Sequence, residues 1–211
     1  MLEIVHPLIE SYLASLRTPR DDILIEMERI AEEEQFPIIG PDVGKLLYIL
    51  TKFGGARRVL ELGSGFGYSA YWFATALPDD GMVHCTEWSE FNRDRAMAFF
   101  TRARLNHKVR FHMGNALEAA VDILGPFDIV FCDIDKEDYP ETIDLVAPKM
   151  RPGALLITDN TLWHGQVTDT DRLDAPTRGV MTFNAAIHNH PDFETVLIPM
   201  RDGISISMKT R

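Results

Sequence analysis

Arg57-Arg58-Val59-Leu60-Glu61-Leu62-Gly63-Ser64-Gly65-Phe66-Gly67-Tyr68-Ser69 reads as a strand, a turn and the opening of a helix. A short apolar run ends at a carboxylate, and glycines alternate through the turn that follows. Glycine there lets the backbone take positive φ or approach a ligand closely. Such a unit holds a small polar ligand at the C-terminal end of its strand. Two later runs also end in acids: Phe131-Cys132-Asp133-Ile134-Asp135-Lys136 and Ile157-Thr158-Asp159-Asn160. Apolar strands delivering acids to one edge suggest a cofactor site beside a metal site.

From about residue 57 strands and helices alternate. Strands are expected near 57–62, 82–87, 108–113, 127–132 and 154–158, with helices near 67–76, 89–104, 116–123 and 140–148. Ser89 and Asn115 are candidate caps, and Glu118 stands in capping-box spacing to Asn115. Pro140 suits a first helical turn. This rhythm predicts an α/β fold, a mostly parallel sheet with helices on both faces. Phe193-Glu194-Thr195-Val196-Leu197-Ile198 and Gly203-Ile204-Ser205-Ile206-Ser207-Met208 flank the turn Arg201-Asp202-Gly203. A terminal hairpin would add an antiparallel strand. The polar stretch 165–177 has no apolar period and reads as a loop or lid.

The N-terminal residues 1–54 read as mainly helical. Ile23, Leu24, Met27, Ile30 and Ala31 recur at helical spacing, with Glu26, Glu28, Glu32 and Glu33 on the wet side. Pro19 and Pro37 bracket that helix. Pro41 opens the next, and Gly54-Gly55 stops it.

A chain of 211 residues suits one domain over residues 1–211, with a core that needs no staples. It is 45% hydrophobic and 25% charged, ordinary for a globular protein. Net charge is -11, from 32 acidic and 21 basic residues, which argues against nonspecific nucleic-acid or membrane-surface binding. Cys85 and Cys132 sit in apolar runs without metal or redox spacing, so buried free thiols in a reducing, cytoplasmic setting are expected. No leader and no membrane span are expected either.

The strand ends carry the chemistry. Gly63-x-Gly65-x-Gly67 departs from the dinucleotide form Gly-x-Gly-x-x-Gly, and no phosphate-loop lysine follows. Glu61 would repel a pyrophosphate but can accept a hydrogen bond from an ammonium or hydroxyl. Glu87 lies about twenty residues past the turn, where an acid accepts ribose hydroxyls. Trp88 can pack on the base, and Gly114-Asn115-Ala116 can offer polar groups to the base edge. The plain alternatives are a solvated glutamate, a surface tryptophan and a helix cap. Asp133, Asp159 and the Asn160 amide are hard oxygen ligands suited to Mg²⁺, or else post-strand caps. Asp135 is a further ligand or a cofactor contact. Beside a divalent ion, Lys136 can take a proton from a hydroxyl held by that ion. Otherwise it is a surface partner of Glu137 or Asp138. Trp163 offers a flat wall to a planar aromatic substrate, or merely anchors its loop. His164 has no assigned role. The other histidines form no cluster, and no serine nucleophile elbow is present.

Taken together, these residues resemble a known family. Val59 to Ser69, Glu87, Gly114-Asn115-Ala116, Phe131 to Tyr139, Asp159-Asn160-Thr161-Leu162-Trp163, Phe183-Asn184 and Asp202-Gly203 stand in the order found in S-adenosylmethionine-dependent, divalent-cation-dependent O-methyltransferases. That family is typified by the catechol and caffeoyl-CoA enzymes and their small bacterial relatives, and the resemblance spans roughly residues 35–211. It implies a Rossmann-like class I methyltransferase fold, with a seven-stranded sheet and an antiparallel terminal strand. It also implies a metal held by Asp133, Asp159 and Asn160, with Lys136 as general base. Glu87 would hold the donor's ribose. Glu61, Gly63, Tyr68 and Ser69 would line its methionine end, with Ser64 in the same turn, and Ile39, Trp88, Asn115, Ala116 and Asp133 would border the donor. Lys136, Asn160 and Trp163 would meet the acceptor, a catechol-like diol. Many members are homodimers whose N-terminal segments cover the site. Phe36 to Lys45 departs from the family pattern, which bears on the acceptor. The rival readings are a nucleotide-cofactor dehydrogenase and a binding protein of this fold without turnover.

Overall fold

The computed structural model describes residues 4–169, 171 and 174–211. Its strands are β1 (Arg58–Leu62), β2 (Met82–Glu87), β3 (Val109–Met113), β4 (Phe127–Cys132), β5 (Met150–Thr158), β6 (Phe193–Ile198) and β7 (Ile204–Lys209). They form one seven-stranded sheet in the order β3-β2-β1-β4-β5-β7-β6. Neighbours from β3 to β5 pair in parallel, and β7 runs antiparallel to both β5 and β6. The terminal hairpin therefore inserts its second strand against β5, as the turn at Arg201-Asp202-Gly203 predicts. Strand order reverses between β1 and β4, and the crevice at such a switch point is where open α/β sheets bind ligands.

The helices are α1 (Pro7–Ser15), α2 (Asp22–Glu34), α3 (Gly40–Phe53), α4 (Tyr68–Ala76), α5 (Glu90–Arg102), α6 (Ala116–Val121), α7 (Tyr139–Val146) and α8 (Ala175–His188). The expected caps form. Ser89 Oγ accepts from the Asn92 N–H, and Asn115 Oδ1 accepts from the N–H groups of Leu117 and Glu118. Asp21 starts α2 in the same way, and Gln35 ends it in a left-handed conformation.

Each face of the sheet carries an apolar layer. Val59, Val83, Cys85, Ile129, Phe131 and Ile157 pack with α2, α3, α4 and α5. Leu60, Leu62, Val130, Cys132 and Leu156 pack with α6, α7 and α8. α4 is buried nearly all round because α3 and α2 cover the side turned from the sheet. Both cysteines are buried free thiols. Among the described residues no helix is long and apolar enough to cross a membrane.

Two expectations need correction. The stretch 165–177 is not wholly a loop. Trp163–Thr168 forms a 3₁₀ segment with a left-handed break at His164 and Gly165, and α8 already begins at Ala175. Residues 170, 172 and 173 of the expected lid lie outside the described residues. The helix itself escapes a periodicity search because Thr177 and Gly179 share its buried face with Val180, Phe183 and Ile187, which dilutes the apolar signal. Nor are the histidines all scattered. His84 on β2 and His112 on β3 stack, with Nδ1 of the first 3.1 Å from Nε2 of the second. Burial, then the neighbouring ring, pushes His84 down to about 4. Neither histidine lines the cavity described below.

Candidate active site

The C-terminal ends of β1, β2, β3, β4 and β5 open into one cavity of about 1690 Å³. That exceeds the roughly 300–1,000 Å³ usual for one small ligand. Every site residue expected from sequence lines it except Glu61.

One side of the cavity is built on the glycine turn. Gly63 has φ +80°, and a Cβ there would lie 2.4 Å from the Asp133 carbonyl oxygen, so only glycine lets this turn close against the end of β4. Strand alternation puts Glu61 on the same face as Val59, in register with Cys85 and Phe131 and fully inside the apolar layer. Neither of its carboxylate oxygens makes a well-formed hydrogen bond. Ser64, Ser69 and Cys85 are near enough to soften this loss of water but not to cancel it, and burial pushes the Glu61 carboxyl up to about 7. Sequence reading put Glu61 at the cavity wall. The structure puts it beyond the wall, with Ser64 and Ser69 as the polar neighbours that do reach the cavity.

Glu87 is buried at the end of β2 rather than solvated. Its Oε1 accepts from the Ser89 N–H at 2.8 Å and from Asn92 Nδ2 at 3.2 Å, leaving Oε2 without a partner among the described residues. Trp88 is 79% exposed at the rim, and Asn115 and Ala116 border the same space. A buried acid with one oxygen spare, a turn no side chain could occupy and an exposed indole fit a nucleoside carrying a cationic tail.

Another side is built on β4 and β5. Cys132 pairs with Thr158, and the Asp159 N–H donates to the Cys132 carbonyl at 3.0 Å, so Asp133 and Asp159 leave the sheet side by side. Asp159 is buried, and its carboxyl is raised by that burial first and by the charge of Asp133 next. The fully buried Tyr139 donates its hydroxyl to the Asp159 carbonyl at 2.9 Å. Phe183 of α8 packs edge-on against the Tyr139 ring, and Asn184 Nδ2 donates to the Thr161 carbonyl at 2.7 Å. The helix that sequence reading missed thus braces the loop after β5.

That loop is strained. Asn160, Trp163 and His164 all have positive φ, a conformation costly for residues other than glycine and found most often at functional sites. Asp202 of the β6–β7 turn holds it. It accepts from Asn160 Nδ2 at 3.1 Å and from the His164 N–H. With its amide nitrogen committed, Asn160 keeps its carbonyl oxygen for a ligand. Lys136 is buried, and its Nζ lies 2.9 Å from both Asp133 Oδ1 and the Ile134 carbonyl. Its partner is therefore Asp133, not Glu137 or Asp138. Trp163 flanks Nζ, with the ring centroid 5.8 Å away. Two acids and an amide oxygen fit a hard divalent cation. Among the described residues no three acids, histidines or cysteines gather as a metal cage, so the amide is needed to complete the set.

Comparisons with known proteins identify the family. A model of the O-methyltransferase family matches residues 15–210. The chain is 30% identical over 198 residues to a catechol O-methyltransferase of Niastella koreensis, covering 91% of this chain and 90% of that one. Among solved structures it resembles the O-methyltransferase TomG of Streptomyces achromogenes in complex with S-adenosylmethionine, with 33% identity, 96% of each chain covered and a TM-score of 0.87. An O-methyltransferase of Bacillus cereus in complex with S-adenosylhomocysteine matches at 29% identity and a TM-score of 0.87, covering 96% of this chain and 97% of that one. The chain therefore belongs to the O-methyltransferase family and is an enzyme that transfers the methyl group of S-adenosylmethionine to oxygen.

Proposed function

We propose that the acceptor is a small aromatic vicinal diol, that a divalent cation, Mg²⁺, is held by Asp133, Asp159 and the Asn160 carbonyl, and that Lys136 removes the acceptor's proton. The observation that carries this reading is the pinned Asn160 amide beside two adjacent acids, one buried and poorly compensated. The relative from Niastella koreensis is a catechol O-methyltransferase, which agrees with it. The cation would supply Lewis acidity, easing loss of a proton from an acceptor hydroxyl.

The chain's own groups do the rest. Lys136 takes the hydroxyl proton. As the ammonium it is held by Asp133 Oδ1 and the Ile134 carbonyl, the two contacts already present. The acceptor oxyanion then attacks the sulfonium methyl. A carbon–oxygen bond forms, the carbon–sulfur bond breaks, and the thioether leaves. Trp163 walls the planar ring, and Glu87 and the glycine turn fix the donor. The protein's contribution is position and charge rather than covalent chemistry.

The test is methyl transfer to pyrocatechol and to phenol, each with and without chelator. Product from pyrocatechol alone, lost on chelation and restored by Mg²⁺, is expected. Turnover indifferent to chelation would remove the cation site, and equal turnover of phenol would remove the diol. The two buried thiols fit a cytoplasmic setting. A homodimer also belongs to this reading. It is supported by Leu8, Ile9, Tyr12, Leu13 and Leu16, which lie exposed on or beside α1, and sedimentation at a monomer mass would refute it.

A further inference from the structure

The cavity is strongly acidic. Among the described residues nine carboxylate side chains line it against three from lysine and arginine. Lys136 is paired with Asp133, and Arg17 grips Asp42 through two bonds of 2.9 and 2.7 Å. Arg201 is the third cation; among the described residues no carboxylate forms an ion pair with it, although its charge acts on Asp42 and Asp159. It stands in the β6–β7 turn with φ +50°, where a bulky side chain is uncommon. It is not loose. Nη1 donates to the Ile38 carbonyl at 2.9 Å, and a Cβ on Gly40 would lie 2.7 Å from the same nitrogen, so the guanidinium is seated against bare backbone.

That seat has a fixed relation to the chemistry. Arg201 precedes Asp202, whose carboxylate holds Asn160 and His164, and its charge acts on Asp159. A single carbonyl satisfies one of five N–H donors. A structural tie alone would leave the remaining fork facing a cavity that otherwise repels anions.

We propose that Arg201 recognises a carboxylate on the acceptor, so that the preferred substrate is an aromatic diol bearing an acid group. The inference rests on the diol acceptor and cation site proposed above. A planar carboxylate matches the guanidinium fork and brings one negative charge. A phosphate would bring nearly two into a space already crowded with carboxylates, which makes it the poorer fit.

The test compares 3,4-dihydroxybenzoate with its methyl ester, in the wild type and in two variants. The wild type should favour the acid in kcat/KM by about tenfold or more, with the difference residing in KM. Arg201→Gly should bring that ratio close to one. Glycine suits this backbone, so the melting temperature should hold. Arg201→Lys, which keeps the charge but loses the fork, should fall between. A wild-type ratio near one, or a ratio that survives Arg201→Gly in a folded protein, overturns the proposal. Failure of the diol reading has a different signature. Neither compound would then be methylated, or both would be methylated regardless of chelator, and this inference would fall with it.

Discussion

Replacing Glu61 by glutamine keeps the shape of the side chain and removes its titration. In the wild type, burial lifts this carboxyl from 4.5 to about 7. Because the folded value lies above the unfolded one, the ionised form costs stability. The cost is absent below the unfolded value, grows as pH rises, and is complete above the folded value. Converted at about 1.4 kcal/mol per pH unit, the displacement is worth about 3 kcal/mol. The softening by Ser64, Ser69 and Cys85 is already contained in that displacement. In a chain of this length about 3 kcal/mol corresponds to roughly 6–12 °C in melting temperature. The assay is thermal unfolding of the donor-free wild type and Glu61→Gln from pH 4.5 to 8.5. The variant should gain on the wild type as pH rises and plateau near pH 8, while the two nearly coincide at the acid end. Acids that do not interact with Glu61 cancel in the difference. A gap of the same size at every pH would mean that Glu61 does not change its protonation across this range, and the reasoning would fail.

Glu87→Gln should weaken donor binding about 10- to 100-fold, the worth of a charge-assisted hydrogen bond, and titration calorimetry with S-adenosylhomocysteine would show it. An unchanged affinity would place the ribose elsewhere. Lys136→Ala should slow single-turnover methyl transfer by about 10²- to 10⁴-fold while leaving the dissociation constant for donor nearly unaltered; an unaffected single-turnover rate would remove Lys136 as base. Gly179→Ala builds a Cβ 2.0 Å from the Lys136 carbonyl oxygen, so α8 and the Lys136 segment cannot both stay in place. A loss of about 1–3 kcal/mol in stability, together with reduced turnover, is expected, and a variant as stable and active as the wild type would contradict the packing.

Much of this architecture is legible in the chain because it depends on short-range pattern. β1 through β5 each carry an apolar run that stops at a turn or an acid, and period alone locates them to within a residue or two at most ends. β5 is the exception. Its first residues, Met150 to Gly153, include Pro152 and a left-handed Gly153, so the pattern starts only at Ala154. The acids at the strand tips are legible for the same reason as the strands. What is not legible depends on groups distant in sequence. No local pattern announces that Arg201 reaches Ile38, or that Asp202 turns the amide of Asn160. The buried face of α8 mixes threonine and glycine with apolar residues because it packs on the backbone of Lys136, where larger side chains do not fit. Period counting is blind to such a face.

The placement of Glu61 shows why a strand reading can be right about a residue and wrong about its surroundings. Alternation along β1 assigns Glu61 to the face shared by Val59, and that face is apolar. A residue selected only to pack there would not be an acid. Three acids instead stand at the tips of three adjacent strands: Glu61 on β1, Asp133 after β4 and Asp159 after β5. The charge of Asp133 adds to burial in opposing ionisation of both its neighbours, while Lys136 is the cation bonded to Asp133. The free enzyme therefore carries an electrostatic cost that its fold does not relieve, of the kind retained at binding sites and rarely elsewhere. Positive charge brought to this edge offsets that cost. The sulfonium donor supplies such charge, and the proposed divalent cation would supply more. Affinity for the sulfonium donor then draws on what the fold leaves uncompensated, as much as on the contacts it provides.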